Sequence, residues 1–316
     1  ARAVDAYVSA AGVTRLLATR RGVVGILGAL LYQPALEGVA FSLAPATGGV
    51  QIHVKSVLNR QLTHASSPSF VPSLASAVPS GAALFFDVMG LNRIAPRVLS
   101  TIGIGAQIPK LLTRIGIGLA AQGVKVQENI VSLFQRESAV VISSHGGKPV
   151  VTVIAKTPNP SVTRTVFAQL EVPLERLFAQ AGNAAGQAPV FNQLSVGGVI
   201  AHQIILVPGI QFDYAISGHE LLLSTSLEGI ASVVHQAGAL VDQNAYRLTL
   251  GNHTARVTSL LFLDLNQLLS LGEQTGRITG TRYRALKPDL ERVHAIGMDS
   301  TSGEAESTAE LFLQIP

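Results

Sequence analysis

Cysteine and tryptophan are absent from this 316-residue chain, methionine occurs only twice, and charged residues make up 13% of it. Without thiols there can be no disulfide, thiolate zinc site, cysteine nucleophile or iron–sulfur cluster. A thiol-free chain also folds equally well on either side of a membrane. With about half the charge of an ordinary soluble domain, the surface must be dressed in Ser, Thr, Gln and Asn. Long apolar runs are missing too. The most apolar helical candidate, Gly22 to Tyr32, spans 11 residues, short of the ~20 that cross a bilayer. The opening ARAVDAYVSA has no initiator Met and neither the basic nor the apolar region of a signal peptide. The expectation is that a portion upstream of Ala1 has been removed or lies outside the chain.

What is present begins with a 47% hydrophobic content, enough for a sizeable core and incompatible with disorder. The length suggests about two domains. Net charge is +4, but residues 1–127 hold 11 Lys/Arg against Asp5, Glu37 and Asp87. These basic residues are scattered, and few aromatics interleave them for base stacking, so no nucleic-acid partner is expected.

The two ends of the chain repeat each other. Tyr7, Gly22, Leu36, Glu37, Val39 and Gly49 find counterparts in Leu261, Gly276, Leu290, Glu291, Val293 and Gly303, each 254 positions later. Each copy closes with an alternating strand, Val50-Ile52-Val54 and Leu311-Leu313-Ile315. Residues 1–60 therefore read as the closing segment of a first module and 82–316 as a complete second one. Residues 61–81 join them, uncharged, with six Ser and three Pro between 62 and 81; an extended connector resting on a surface through Phe70, Val71 and Leu74 is expected. One strand–helix–strand set is too small to stand alone. Val39, Phe41, Leu43, Val50, Ile52 and Val54 are thus expected to form an interaction edge. Its cover would be another chain (a second copy included), the absent part of the first module, or the second module.

Within 82–316, alternating segments at 82–88, 138–144, 149–156, 199–206, 211–216, 220–225, 259–263, 293–298 and 309–315 read as strands. Helical periodicity marks 91–102, 108–122, 127–137, 160–181, 227–236 and 242–250. Hairpins dominate and helices come in blocks, predicting an α+β fold: mainly antiparallel sheets covered by helices, in tandem related modules with the first incomplete.

The residues Phe85-Phe86-Asp87-Val88, Val196-Gly197-Gly198-Val199, Asp213-Tyr214-Ala215-Ile216, Leu221–Ser226 and Phe262-Leu263-Asp264-Leu265 stand in an order that resembles the bacterial family called domain of unknown function 3352. The resemblance spans nearly the whole chain but rests on strand ends and turns. It implies an exported protein, extracytoplasmic and held by an N-terminal membrane anchor, and supplies no activity, cofactor or site residue.

No motif adds chemistry. The eight His never fall at metal-site spacing, and His219-Glu220 lacks the second His of a zinc helix. Ile102–Gly105 and Gly116–Gly123 lack the Gly-Lys-Ser/Thr of a phosphate loop, and small-residue helix packing explains them more simply. No Gly-x-Ser-x-Gly occurs. Asp299, Glu304 and Glu306 lack calcium-loop spacing and read as a polar turn. Asn252-His253-Thr254 matches the glycosylation pattern but reads as a turn. Asp87 and Asp264 end strands ahead of helices, where capping is the simpler role. The expectation is a non-enzymatic structural or protein-interaction module with no catalytic, cofactor-binding or metal-ligating residue. The alternative is a carrier holding an apolar, lipid-like ligand between the sheet and residues 91–122.

Overall fold

The computed structural model describes residues 4–9, 11–12, 35–61, 68–93, 115–125, 128, 130–180, 189–207, 209–251, 255–276, 278 and 280–315. Among these residues thirteen strands form one antiparallel sheet: β1 (Val4–Ser9), β2 (Leu36–Ala46), β3 (Gly49–Leu58), β4 (Leu84–Met89), β5 (Glu137–His145), β6 (Lys148–Lys156), β7 (Asn192–Val196), β8 (Val199–Val207), β9 (Ile210–Ser217), β10 (Glu220–Ser224), β11 (Ser259–Asp264), β12 (Ala295–Ser302) and β13 (Glu306–Gln314). Their order across the sheet is β1-β2-β3-β13-β12-β11-β4-β5-β6-β10-β9-β8-β7. The principal helices are α1 (Pro160–Gln180), α2 (Leu227–Val234), α3 (Asn244–Leu250), α4 (Leu265–Gln274) and α5 (Thr281–Leu290). The chain is therefore α+β with a large antiparallel sheet.

Local chemistry explains the hairpins. Alternation in β5 and β6 buries every second residue, and Gly146 and Gly147 join them at φ +56° and +75°, the double positive φ of a tight hairpin turn. Gly197 and Gly198 do the same between β7 and β8 at +60° and +80°. α1 starts at Pro160, where a missing N–H costs nothing.

Because β-strand side chains alternate, the sheet has two apolar faces. On one, Phe85, Ile154, Leu222, Leu260 and Phe262 are buried with Ile230 of α2 and Tyr246 and Leu250 of α3. On the other, Val39, Val54, Phe86, Val88, Leu261, Leu263, Met298 and Leu311 form a second core that Leu268 of α4 joins. Beneath α1 on that second side, Tyr214, Ile216, Leu221 and Phe167 make a third cluster.

The connector leaves β3 and reaches β4 across the first face. Phe70 bridges Val257, and Leu74 and Val78 are fully buried. Val71, expected against the surface, is 48% exposed instead. The connector also contains a 3₁₀ turn at Leu74–Ser76. Three further expectations change. The helix read over 127–137 is a 3₁₀ turn at Val131–Gln135 running into β5. β7, whose Asn192, Gln193 and Ser195 hid its pattern, joins the sheet. Asp87 is not a cap; it lies inside β4, fully buried. The helical candidate Gly22 to Tyr32, the parts of the expected helices at 94–102 and 108–114, the Ile102–Gly105 run and Asn252–Thr254 lie outside the described residues.

β1–β3 and β11–β13 follow the same pairing plan. Val8 stands opposite Val39 as Leu263 stands opposite Ile296, and Phe41 opposite Val54 as Met298 opposite Leu311. All eight face the second core. Matched this way, the strands depart from a constant 254 spacing by one position in β1 and three in β2 and β3. Leu290 ends α5, whereas Leu36 already begins β2. The two sets meet where β3 pairs with β13, from Gly49 opposite Gln314 to Val57 opposite Glu306.

Candidate functional site

The six residues expected at an interaction edge all lie on β2 and β3. Both strands are internal to the sheet, so none of the six is at a free edge. Val39 and Val54 are buried, while Phe41 and Ile52 are partly buried on the same core. Leu43 and Val50 are intermediate, Leu43 opposite Ile52 and Val50 opposite Leu313. β13 of the same chain covers β3 throughout.

The edge falls one strand further out, on β1. No described strand pairs with its outer side. Val8 turns toward the second core, which places Val4 and Ala6 on that face and Asp5, Tyr7 and Ser9 on the other. Val4 is 52% exposed and Tyr7 67%. Tyr7 lies back over Gly38, where a Cβ would sit 2.1 Å from the Tyr7 hydroxyl; the missing side chain makes room for the ring. At the opposite edge, β7 is exposed but mostly polar.

Three polar clusters lie elsewhere on the sheet. In the first, the buried Glu137 carboxylate accepts from the backbone N–H of Ser73 at 2.6 Å and of Leu74 at 3.0 Å, from Ser73 Oγ at 2.9 Å, and from Lys156 Nζ at 2.8 Å. Lys156 Nζ also donates to Ser73 Oγ. These donors come from the connector and from β6, so the arrangement anchors the connector to the sheet. On the same face Asp87 has no hydrogen-bond partner at either oxygen. Burial, reinforced by the nearby charge of Glu137, pushes its pKa well above the usual carboxylate range. Glu220 is raised by burial against the pull of Lys156.

In the second cluster, Thr152 and Ser224 pair at 3.1 Å beneath α2. A Cβ on Gly229 would come within 2.1 Å of Ser224 Oγ, so the helix sits directly on these hydroxyls. Asp213, fully buried beside Gln211 at 2.8 Å, is raised by burial. In the third, one oxygen of Glu171 on α1 accepts from Tyr214 Oη at 2.5 Å and lies 2.6 Å from His202 Nδ1. The two rings stack at 4.5 Å. Desolvation raises the Tyr214 phenol far above its ordinary value, so this cluster holds α1 onto β8 and β9.

The remaining candidates resolve locally. Asp264 caps α4, its Oδ1 accepting from Gln267 N at 3.0 Å. Asp87 stands opposite Leu260, four residues along β11 from Asp264, so the two carboxylates do not meet. Asp299 lies on β12, and Glu306 pairs with Lys55 at 2.7 Å. In the Gly116–Gly123 run, a Cβ on Gly118 would lie 2.3 Å from Leu177 of α1, a helix-packing contact. Among the described residues no three His, Asp or Glu stand together as a metal site. A hollow of about 210 Å³ is lined by Gln51, Thr249, Leu250, Asp299, Glu310 and Phe312. Most of the segment expected to hold an apolar ligand, at 94–114, lies outside the described residues.

No family model and no curated protein matches the chain. Among solved structures it is similar to crystal forms III and I of TP0453. These are 12% and 13% identical to it, with TM-scores of 0.37 and 0.36; the matches cover 78% and 77% of this chain and 80% and 79% of that one. A likeness that remote says nothing about function. Sequence reading missed the β1 edge and the Glu137 anchor. The exposed Tyr7 amid alternating Val4, Ala6 and Val8 was a usable signal for the first; Ser73 and Glu137, 64 positions apart, gave none for the second.

Proposed function

We propose that the chain is an exported, non-enzymatic structural and protein-interaction protein of tandem α+β modules. Residues 1–60 close a first module, and 82–316 form a second. The supporting observation is a mismatch between two equivalent strands. β11 is paired on both sides, by β12 and β4, whereas β1, which pairs with β2 in the same plan, has an outer side that no described strand occupies. An edge strand bearing the exposed Val4 and Tyr7, with no described strand on its outer side, supports a place for strand addition. The extracytoplasmic location, with membrane attachment through an N-terminal anchor, rests on the family resemblance.

The test uses single-cysteine variants in a chain that has no native thiol. Photo-crosslinkers at Val4→Cys and Asn192→Cys probe the two sheet edges in producing cells. The interaction reading expects adducts with another polypeptide from β1 and none from β7. A chain that stays unmodified at both edges overturns it. Recovery of the full-length protein from the cytosol overturns the location.

A further inference from the structure

The connector crosses the first face between two attachments that do not titrate. The Phe70 N–H donates to Val257 O at one end and the Ser80 N–H to Gly238 O at the other, both at 2.8 Å. Gln236 Nε2 adds bonds to the carbonyls of Ser76 and Val78 at 2.9 and 2.8 Å. Between these ends, the turn of Ser73, Leu74 and Ala75 is tied to Glu137, with Leu74 and Ala75 buried in the first core. We propose that Asp87 and Glu137 form a proton-operated latch on this turn: a neutral Asp87 leaves it held to the sheet, and an ionised Asp87 lets it lift while both ends of the connector stay attached.

The register brings the two carboxyl groups together. Asp87 stands opposite Ala139 and Met89 opposite Glu137, so Asp87 and Glu137 are diagonal neighbours on one face of adjacent strands. Asp87 is 0% exposed and Glu137 5%. Glu137 collects its donors from the turn and from Lys156, whereas neither Asp87 oxygen meets a donor. An ionised Asp87 is thus a buried charge without a partner, among the costliest groups in a fold. A protonated one has an O–H to donate, and the Glu137 carboxylate is there to accept it. The other groups facing Asp87 are Lys156 from β6 and Tyr246 from α3; β11 offers the apolar Leu260. Glu220 of β10 adds a further acid beside Lys156 and Glu137. Burial first, and Glu137 second, hold the Asp87 proton well above the usual carboxylate range, against the pull of the Val88 N–H and Lys156.

When that proton leaves, two carboxylates share one dry site, and water must reach Asp87 to relieve them. Two lids stand over it. α3 is held by apolar contact, the Tyr246 ring lying 6.4 Å from that of Phe85 and 5.4 Å from that of Phe262, and this contact is indifferent to pH. The turn is held by Glu137 and Lys156, the groups on which the new charge acts. The turn therefore yields first.

The test is residue-resolved amide hydrogen exchange on the full chain, wild type against Asp87→Asn, at about pH 6 and about pH 9. Taking the ratio of the two proteins at each pH cancels the intrinsic rate. The Ser73 and Leu74 amides of wild type are expected to gain about ten-fold or more on the variant between the lower and the higher pH, and the Phe70 and Ser80 amides far less. Glu137→Gln supplies an independent arm. It removes the charge that an ionised Asp87 repels, so the pH-dependent rise at Ser73 and Leu74 should disappear even though the turn is held more weakly at both pH values. A ratio that is the same at both pH values overturns the latch. So does a rise at Phe70 and Ser80 as large as that at Ser73 and Leu74, which would be loss of stability in the whole fold, or a Glu137→Gln chain that keeps the full pH response.

Discussion

β1 and β11 hold equivalent places in one sheet and live in different worlds. Four consecutive residues of β11, Leu260 to Leu263, are completely buried, whereas β1 has no fully buried residue. Backbone pairing is the same in kind on the inner side of each. What differs is the next strand and the layer above it, so the comparison separates ladder hydrogen bonding from apolar cover. Burial, worth roughly 1.5–3 kcal/mol per large side chain, distinguishes the two strands.

The sharpest way to break the comparison is truncation at the matched aromatic positions. Phe262→Ala is expected to cost about 3–5 kcal/mol in urea unfolding, and Tyr7→Ala less than about 0.5 kcal/mol. Equal losses would mean that β1 is covered after all. Glycines, though not at matched positions, give a second contrast between the two sets. A Cβ at Gly297 would meet Thr249 Cβ and backbone at 2.7 Å beneath α3, so Gly297→Ala should cost about 1–3 kcal/mol. The nearest atoms to a Cβ at Gly38 are those of the exposed Tyr7 ring, which can swing away, so Gly38→Ala should cost under about 0.5 kcal/mol.

Next comes the carboxylate that β4 brings to β11. Asp87 has a raised pKa in the folded state, so folding takes up a proton. Its contribution favours the folded state in acid and is lost as pH climbs through the raised range. Asp87→Asn does not ionise. It should be close to neutral near pH 4 and gain on wild type by about 1 kcal/mol or more toward pH 8, read from thermal unfolding at each pH. A gain that shrinks with rising pH would contradict the burial argument. The smallest effect is at the seam: Lys55 and Glu306 pair across β3 and β13 with side chains 55% exposed. Lys55→Ala should change stability by no more than about 0.5 kcal/mol, and less in high salt.

The sequence exposes those parts of this fold whose signals are local. The β5–β6 hairpin shows in its alternation around Gly146-Gly147, and α1 in its periodicity after Pro160. β7 stays hidden because an edge strand of Asn, Gln and Ser needs no apolar stripe. Residues 131–135 carry helical spacing yet form a 3₁₀ turn, because Glu137 must enter β5 almost at once. Asp87 looks like a cap because β4 ends soon after it, but Met89 still pairs with Glu137. The pairing of β3 with β13 is non-local, so the six residues read as an edge became interior. The Glu137 anchor is invisible for the same reason.

That pairing also governs when the sheet can form. Along the chain β3 is followed at once by the connector and β4, yet in space β13, β12 and β11 stand between them. A ribosome releases β3 early and β13 after every other strand. Until synthesis has passed Gln314, β3 and β4 have no way to be bridged, and the side of β3 that β13 will occupy stays an unpaired ladder edge. The two halves of the sheet can be joined only after translation of β13, by three strands inserted beside a connector already laid across one face. Maturation is therefore expected to be slow and post-translational, with the growing chain in need of protection from its own open edges.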